Sequence, residues 1–282
     1  HLDHAGPERA TVFLEGLRAS GADAAVFGGD ISVGPQLVED LEACVALAGM
    51  PIHFVLGNHD YWGWSVDGVR RAVARYKGPR LFWLPAAGCV ELAKGVGLVG
   101  HGGWGDAHEG DFEASDVILN DYIHIQELHE VFAYDEETVD LSGQEQLRAR
   151  LQELGRNAAA TLEPALLEAA SRCRQVIVLT HVPPFPEAVR RENHADTAAL
   201  LPGYCCGAVG ELLRRVAADH PDTAFTVLSG HTHGEARATI LPNLVVHTGA
   251  ASYGSPRYRF VRVTASGVEI GDPVAAGEPA AD

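Results

Sequence analysis

Four short apolar runs, each followed at once by polar residues, constrain the fold of this chain more than any other feature. The runs occupy residues 24–28, 52–56, 176–179 and 225–228. A short apolar run that stops at Gly or at a polar loop is typical of a buried strand. Segments with helical character separate the runs, at residues 7–20, 35–48, 65–76, 142–174 and 207–220, and Gly155-Arg156-Asn157 suggests a break in the fourth. This alternation predicts an α/β fold, in which ligands bind at the loops that follow the carboxyl ends of strands.

The loops after the four runs carry carboxylate, amide and imidazole groups. The residues are Asp30, Asn58, His59, His181, His231 and His233. Any one of them carries little information, because Gly-Asp is a common turn and a single histidine is more often a core residue. Together, at four strand ends, they predict a metal site. Their mixture of oxygen and nitrogen donors suits Mn, Fe or Zn.

The order of these motifs resembles that of the calcineurin-like metallophosphoesterases. That family's pattern is Asp-x-His, Gly-Asp, Gly-Asn-His-Asp/Glu, a lone His and Gly-His-x-His. The matching residues are Gly29-Asp30, Gly57-Asn58-His59-Asp60, His181 and Gly230-His231-Thr232-His233. The resemblance implies a two-sheet β-sandwich flanked by helices, with the metal site on strand-end loops. We expect a single domain over residues 1–272, a helical insertion at about residues 107–174 and a flexible tail over 273–282.

The start of the chain departs from the family pattern. His1 fits the histidine of Asp-x-His, so the matching aspartate and the first strand would lie upstream of His1. We therefore expect that about ten natural residues, one strand with its lead-in, precede this sequence. Asp3 is either a solvated turn residue or, if the loop refolds, a substitute ligand.

The resemblance implies two bound metal ions, Mn, Fe or Zn, that activate a water to hydroxide for attack on a phosphoester. Asp30 corresponds to the ligand that bridges the two ions. The other implied ligands are His1 and His233 for one ion, and Asn58, His181 and His231 for the second.

His59 corresponds to the catalytic imidazole of the family, which donates to the phosphate or to the leaving-group oxygen. The resemblance implies that Asp60 orients His59 by accepting its other ring hydrogen. The alternative for Asp60 is a plain loop carboxylate.

The implied activity is that of a metal-dependent phosphoric ester hydrolase, either a phosphodiesterase or a small-molecule phosphatase. The protein Ser/Thr phosphatases of the family carry Asp-Arg-Gly shortly after Gly-Asp, whereas residues 31–34 here contain no Arg, which disfavours that class. The alternative is a non-catalytic scaffold that binds a protein partner. Such members tend to lose the catalytic imidazole, and His59 is retained.

Three residues are candidates for binding the substrate. His101 and Trp104 follow the apolar run at residues 96–100, and His194 lies in a segment, residues 186–204, that we expect to be a long surface loop. The aromatic run Tyr61-Trp62-Gly63-Trp64 either stacks on a base or sugar or caps the core.

Composition narrows the partners. The chain has 282 residues with 21 basic and 38 acidic side chains, a formal net charge of −17, which repels nucleic-acid duplexes and anionic lipid. Five cysteines without Cys-x-x-Cys spacing argue against a disulfide framework. No apolar run approaches the ~18 residues of a membrane span. No signal peptide is visible, so we expect a cytoplasmic protein; the oligomeric state has no sequence signal.

Overall fold

The computed structural model describes residues 1–132, 143–190, 197–264 and 267–275, apart from the side chains of Asp3 and Thr197. Within these ranges the chain alternates helices and strands, as the sequence predicts. The helices are α1 (Leu2–Ala5), α2 (Pro7–Ala19), α3 (Leu37–Ala48), α4 (Val66–Arg75), α5 (Leu84–Ala87), α6 (Asp121–His124), α7 (Gln126–His129), α8 (Gln144–Arg172), α9 (Thr197–Tyr204) and α10 (Gly207–Asp219). Short 3-10 turns cover Gly34–Gln36, His59–Tyr61 and Pro186–Ala188.

The strands form three sheets. They are β1 (Ala25–Phe27), β2 (Ile52–Phe54), β3 (Leu81–Trp83), β4 (Val90–Ala93), β5 (Val96–Gly100), β6 (Gln175–Leu179), β7 (Ala224–Ser229), β8 (Ala236–Leu241), β9 (Leu244–Thr248), β10 (Arg257–Thr264) and β11 (Gly267–Ala275). One sheet has the order β1-β2-β3, a larger one has the order β4-β5-β6-β7-β9-β8, and the antiparallel hairpin β10-β11 makes a third. All neighbours in the first sheet, and the β5-β6-β7-β9 centre of the second, run parallel.

The core lies between the sheets and beneath the helices on both sides. Ile177 of β6 packs in the layer that also holds Val26 of β1 and Val261 of the hairpin. Its neighbour Val178 points to the opposite face, as alternation along a strand requires, and lies in the cluster with Leu166 of α8. Both faces of the central strands are therefore buried, as in a two-sheet sandwich covered by helices.

Helix α8 corrects one prediction. The sequence suggests a break near Gly155, yet α8 runs without interruption through that residue. A side chain at Gly155 would collide with Asp106, so the glycine allows the helix to lie directly against the loop after β5. It is a contact residue and not a helix breaker.

The predicted surface loop at residues 186–204 is also wrong in part. Its end is α9, in which Leu200 and Tyr204 are buried, and its beginning is a 3-10 turn. Residues 191–196 lie outside the described part of the chain. Strands β4 and β8 were not predicted, and β11 extends to Ala275, into the expected tail.

None of the described helices combines the length and the apolar character that crossing a membrane requires.

Candidate metal centre

The four predicted strand ends come together. The loops after β1 and β2 in one sheet meet the loops after β6 and β7 in the other. Glycines allow this close approach: a side chain at Gly57 would collide with Asp30, and one at Gly29 would collide with Gly57 and with the ring of His181. The Gly-Asp and Gly-Asn-His motifs therefore touch each other because neither glycine has a Cβ.

Asn58 lies at the centre of the first ligand group. Its Oδ1 lies 3.0 Å from His181 Nε2 and 3.0 Å from His231 Nδ1. Asp30 Oδ1 completes the group at 3.3 Å from His181 Nε2. The three side chains that the family pattern assigns to one ion are thus gathered around one point, with Asp30 beside them.

The outer nitrogens of both imidazoles face backbone carbonyls. His181 Nδ1 lies 2.8 Å from Gly28 O, and His231 Nε2 lies 3.1 Å from Gly203 O. A ring that donates its single hydrogen outward directs a lone pair inward, which is how second partners orient metal-binding histidines. Although burial opposes it, Asp30 raises the pKa of His181, so His181 reaches this state when its inner proton leaves. Burial, reinforced by the neighbouring His181, lowers the pKa of His231 to about 3.

A neutral His231 therefore presents an acceptor to Asn58 Oδ1, which is itself an acceptor. Two facing lone pairs at hydrogen-bond distance repel each other unless a cation lies near both. The donor set, two imidazole nitrogens with amide and carboxylate oxygens, fits a transition metal or zinc. Although burial alone would raise the pKa of Asp30, the neighbouring His181 lowers it, so the carboxylate is charged.

A second group lies on the other side of Asp30. His1 Nε2 is 3.4 Å from Asp30 Oδ2 and 3.0 Å from His233 Nε2. Potential ligand atoms of these three residues lie within 4.8 Å of one another. The two oxygens of Asp30 thus face two different ligand groups, which is the arrangement of a bridging carboxylate.

Three of these ligand residues have left-handed backbone conformations. The φ angles are 53° at Asp30, 66° at His231 and 61° at His233. Non-glycine residues in this region carry strain of about 1–2 kcal/mol each and cluster at functional sites. The strained positions here coincide with the predicted ligands.

Asp121 is a site residue that sequence reasoning missed. It is 3% exposed and lies in α6, where its Oδ1 accepts hydrogen bonds from Asn58 Nδ2 at 2.8 Å and Trp62 Nε1 at 2.7 Å. Burial raises its pKa to about 6. By taking the amide nitrogen of Asn58, Asp121 turns the amide oxygen toward the imidazoles. The acidic, irregular segment around it gave no sequence signal for this contact.

His4 and Tyr253 also lie at the site without having been predicted. The ring of Tyr253 is centred 4.6 Å from His1, 4.7 Å from His4 and 4.9 Å from His233, although Tyr253 is 54% exposed. Tyr253 therefore forms a wall on the solvent side of the second ligand group. The side chain of Asp3, the other candidate at this end, lies outside the described part of the chain.

His59 lies between the two ligand groups and an aromatic neighbour. Its backbone N–H donates to Asp30 Oδ1 at 3.0 Å, and its ring stacks on Trp62 with centroids 3.6 Å apart. The rings of His59 and His1 are 4.7 Å apart. The predicted catalytic imidazole thus adjoins the metal groups, and Trp62 holds its plane.

Asp60 is bonded to the backbone of two strand-end loops. Its Oδ1 accepts from the backbone N–H groups of Ile31 and Ser32 at 2.7 and 2.9 Å, and its Oδ2 accepts from Gly57 N–H at 2.8 Å. Burial and the nearby charge of Asp30 raise the pKa of Asp60 to about 7, and the three amides oppose that rise. These three bonds form a clamp between the two loops that carry the candidate ligands Asp30 and Asn58. The buried amides need an acceptor, and the Asp60 carboxylate supplies it. That Asp60 orients the ring of His59 stays a prediction.

Asp60→Ala is expected to destabilise the metal-free protein by roughly 3–5 kcal/mol, since three buried amides lose their acceptor. Asp60→Asn keeps one oxygen but turns an NH₂ toward a backbone N–H, so its loss should be intermediate. Denaturant unfolding with chelator present measures both. A loss below about 1 kcal/mol for Asp60→Ala would contradict the clamp.

The three substrate candidates have different outcomes. Trp104 is 5% exposed and packs against Tyr61 in the core, with centroids 5.5 Å apart. His101 is 4% exposed and its Nδ1 accepts from Gly103 N–H at 3.0 Å. These contacts lie in the core for Trp104 and within its own loop for His101, so a role for either in substrate binding stays a prediction. His194 lies outside the described residues.

His101 should make stability depend on pH. Burial, and secondarily the charge of Arg70, lower its pKa from 6.5 to about 3. Between these values the unfolded chain binds a proton that the folded chain does not, so the free energy of unfolding falls on acidification by roughly 1.4 kcal/mol per pH unit. His101→Asn retains an acceptor near the Nδ1 position and does not titrate. We expect the variant to lose about 1–2 kcal/mol less than the wild type between pH 6.5 and 5, measured by denaturant unfolding with chelator; equal losses would contradict this assignment.

Comparison with known proteins agrees with this geometry. The family model for calcineurin-like phosphoesterases matches residues 4–235. The fold is similar to that of a dimetal phosphatase from Danio rerio, at 15% identity, over 95% of this chain and 88% of that chain, with a TM-score of 0.53. It is also similar to the protein TT1561 of Thermus thermophilus, at 16% identity, over 94% and 92% of the two chains, with a TM-score of 0.51. No curated protein sequence matches the chain.

These structural likenesses are at low identity and concern the fold alone, whereas the family match spans most of the chain and includes every predicted ligand except His1. The chain belongs to the calcineurin-like phosphoesterase family.

Proposed function

We propose that this protein is a dinuclear-metal-dependent phosphoesterase that hydrolyses a small-molecule phosphoester, as a phosphodiesterase or a small-molecule phosphatase. The observation that carries the proposal is the position of Asp30, whose two oxygens face two ligand groups, 3.3 Å from His181 Nε2 and 3.4 Å from His1 Nε2. A carboxylate shared in this way is what two cations of like charge need in order to lie close together.

The residues that would hold the ions, Mn, Fe or Zn, are those of the two groups. They are Asn58, His181 and His231 on one side, His1 and His233 on the other, and Asp30 between them. When bound, such ions supply an activated water at neutral pH and stabilise negative charge on phosphoryl oxygens.

The chain's own groups would prepare and finish the reaction. Asp121 holds Asn58 so that its amide oxygen faces inward, and Asp60 fixes the two loops through backbone amides. His59 is the proton donor in this proposal, because its ring adjoins the ligand groups and is held flat against Trp62. A donated proton on the departing oxygen removes the need to expel an alkoxide.

The substrate class follows from residues that the chain lacks. No Arg follows Gly29-Asp30, so the guanidinium that the protein phosphatases of the family place there is missing. The protein's net charge of −17 repels the phosphate backbone, so nucleic-acid duplexes are unsuitable partners. The proposal includes a cytoplasmic location. The rival function, a catalytically inactive scaffold for a protein partner, is disfavoured by the retention of His59 beside a full ligand group.

A metal-reconstitution assay tests the proposal. Metal-free protein would be loaded separately with Mn²⁺, Zn²⁺ and Fe²⁺ and offered bis(p-nitrophenyl) phosphate and p-nitrophenyl phosphate. We expect hydrolysis that chelator abolishes and that the ion restores. The ratio of the two rates separates diesterase from monoesterase activity. Binding of about two equivalents of metal without hydrolysis of either substrate would favour the scaffold.

A further inference from the structure

A shallow recess lies next to the loops of the candidate metal centre, with Trp62 in its lining. It has a volume of about 280 Å³ and is lined by Val33, Pro35, Gln36, Trp62, Gly63 and His124. The same Trp62 stacks on His59 and donates through Nε1 to Asp121. One indole is therefore shared between the recess and the candidate catalytic imidazole.

The recess is a seam between two metal-binding loops. Val33, Pro35 and Gln36 belong to the loop that carries Asp30, and Trp62 and Gly63 belong to the loop that carries Asn58 and His59. The loops are in direct contact, because a side chain at Gly34 would lie 2.8 Å from Trp62 O. A compound bound in the seam would thus contact residues that are three positions from Asp30 and four positions from Asn58.

Backbone hydrogen bonds hold the seam open in one shape. Gln36 N–H donates to Val33 O at 3.0 Å, and Gly63 N–H donates to His124 O at 2.9 Å. Trp62 N–H donates to His59 O at 2.9 Å, and its ring is fixed by Asp121. A preformed surface of this kind binds a ligand without ordering a loop first, which saves conformational entropy.

The chemistry of the lining selects against charged groups. Val33, Pro35 and Trp62 supply apolar and aromatic surface, while Gln36 offers a neutral amide. His124 is the single titratable side chain among the six lining residues, and none of them is Lys, Arg, Asp or Glu. A second phosphate would find no guanidinium or ammonium here. The volume lies just below the ~300–1,000 Å³ of sites for drug-sized ligands, so it suits one ring system.

We propose that this recess binds the organic group esterified to the phosphorus, and that the substrate is a phosphoester of an uncharged aromatic or heteroaromatic compound. This inference rests on the proposed function of the metal centre. The phosphoryl group would lie at the ligand groups while the ring lies against Trp62 and Pro35, with Gln36 able to hydrogen-bond its edge.

Non-hydrolysable phosphonates test this without requiring turnover. Methylphosphonate, 2-aminoethylphosphonate and phenylphosphonate would be titrated calorimetrically into metal-loaded protein. We expect phenylphosphonate to bind ~10-fold more tightly than methylphosphonate, with a more negative heat-capacity change from apolar burial. The charged aminoethyl compound should show no such gain.

Variants locate the effect. Val33→Phe fills the recess and should remove the ~10-fold preference for the phenyl group while leaving methylphosphonate binding unchanged. Gln36→Phe fills the recess from an exposed position, so it still tests the proposal if Val33→Phe fails to fold. Val12→Phe, the same substitution at an exposed site on α2 outside the recess, is the matched control and should keep the preference.

The outcomes separate this inference from the proposed function. If methylphosphonate binds and phenylphosphonate binds no better, or if both filling variants keep the preference, the recess does not take the organic group. If neither phosphonate binds metal-loaded protein, the phosphoesterase proposal itself fails. A preference lost in both filling variants and kept in Val12→Phe supports the assignment.

Discussion

Asp30→Asn is expected to lower bound metal from about two equivalents per chain to one or fewer and to reduce hydrolysis by ~10³-fold or more. The substitution removes the charge that faces both ligand groups, through Oδ1 toward His181 and Oδ2 toward His1. Asparagine is the least disruptive replacement, because it has the same shape and tolerates the φ of 53° at this position. Elemental mass spectrometry after gel filtration measures the metal content, and the assay above measures activity.

Asp67→Asn is the matched control for this experiment. Asp67 lies on α4, where its exposed side chain pairs with Arg71, which belongs to neither ligand group. It should retain both metal and activity. If Asp30→Asn keeps about two equivalents of metal, the carboxylate does not bridge, and the second ligand group around His1 would have to be reassigned.

His59→Ala is expected to reduce turnover by ~10²-fold or more while leaving the metal content unchanged. The backbone N–H that donates to Asp30 is kept in alanine, so the bridging carboxylate retains that partner. The variant loses the imidazole and its stack on Trp62, and with them the proposed proton donor. Turnover at saturating substrate and metal content, measured on the same preparation, separate catalysis from metal binding.

The dependence on the leaving group distinguishes a proton donor from a purely structural ring. Without its donor, His59→Ala should lose more activity on substrates with poor leaving groups than on p-nitrophenyl esters, whose leaving group needs little protonation. His129→Ala, at an exposed position on α7, controls for removal of a histidine. Full activity of His59→Ala on both kinds of ester would overturn the role.

The residues that the structure brings together around Asp30 could be predicted from the sequence, because the signals that mark them are local. Every candidate ligand except His1 lies within a few residues of the end of an apolar strand, and Gly29, Gly57 and Gly230 directly precede Asp30, Asn58 and His231. Because the neighbouring strands that precede these loops run parallel in each sheet, their carboxyl ends lie at the same edge, and the loops that follow them meet there.

The groups that orient the ligands could not be predicted because their partners are distant in sequence. Asp121 meets Asn58 across more than sixty positions, and nothing in the acidic segment around it marks that contact. The backbone partners of Asp60 were missed for the same reason, because the amides of Ile31 and Ser32 lie 29 and 28 positions away in the chain. His101 lies at a strand end yet faces the interior, which alternation alone does not reveal.

The left-handed backbone at Asp30, His231 and His233 has a consequence for the history of such proteins. A descendant that no longer needed metal would gain stability at all three places simply by accepting glycine or asparagine, residues for which this conformation is inexpensive. Drift would therefore erase these positions early, ahead of the buried apolar residues around them. Among relatives of this chain, Asp and His at these three positions would mark active enzymes, and Gly or Asn there would mark members that have lost the metal site.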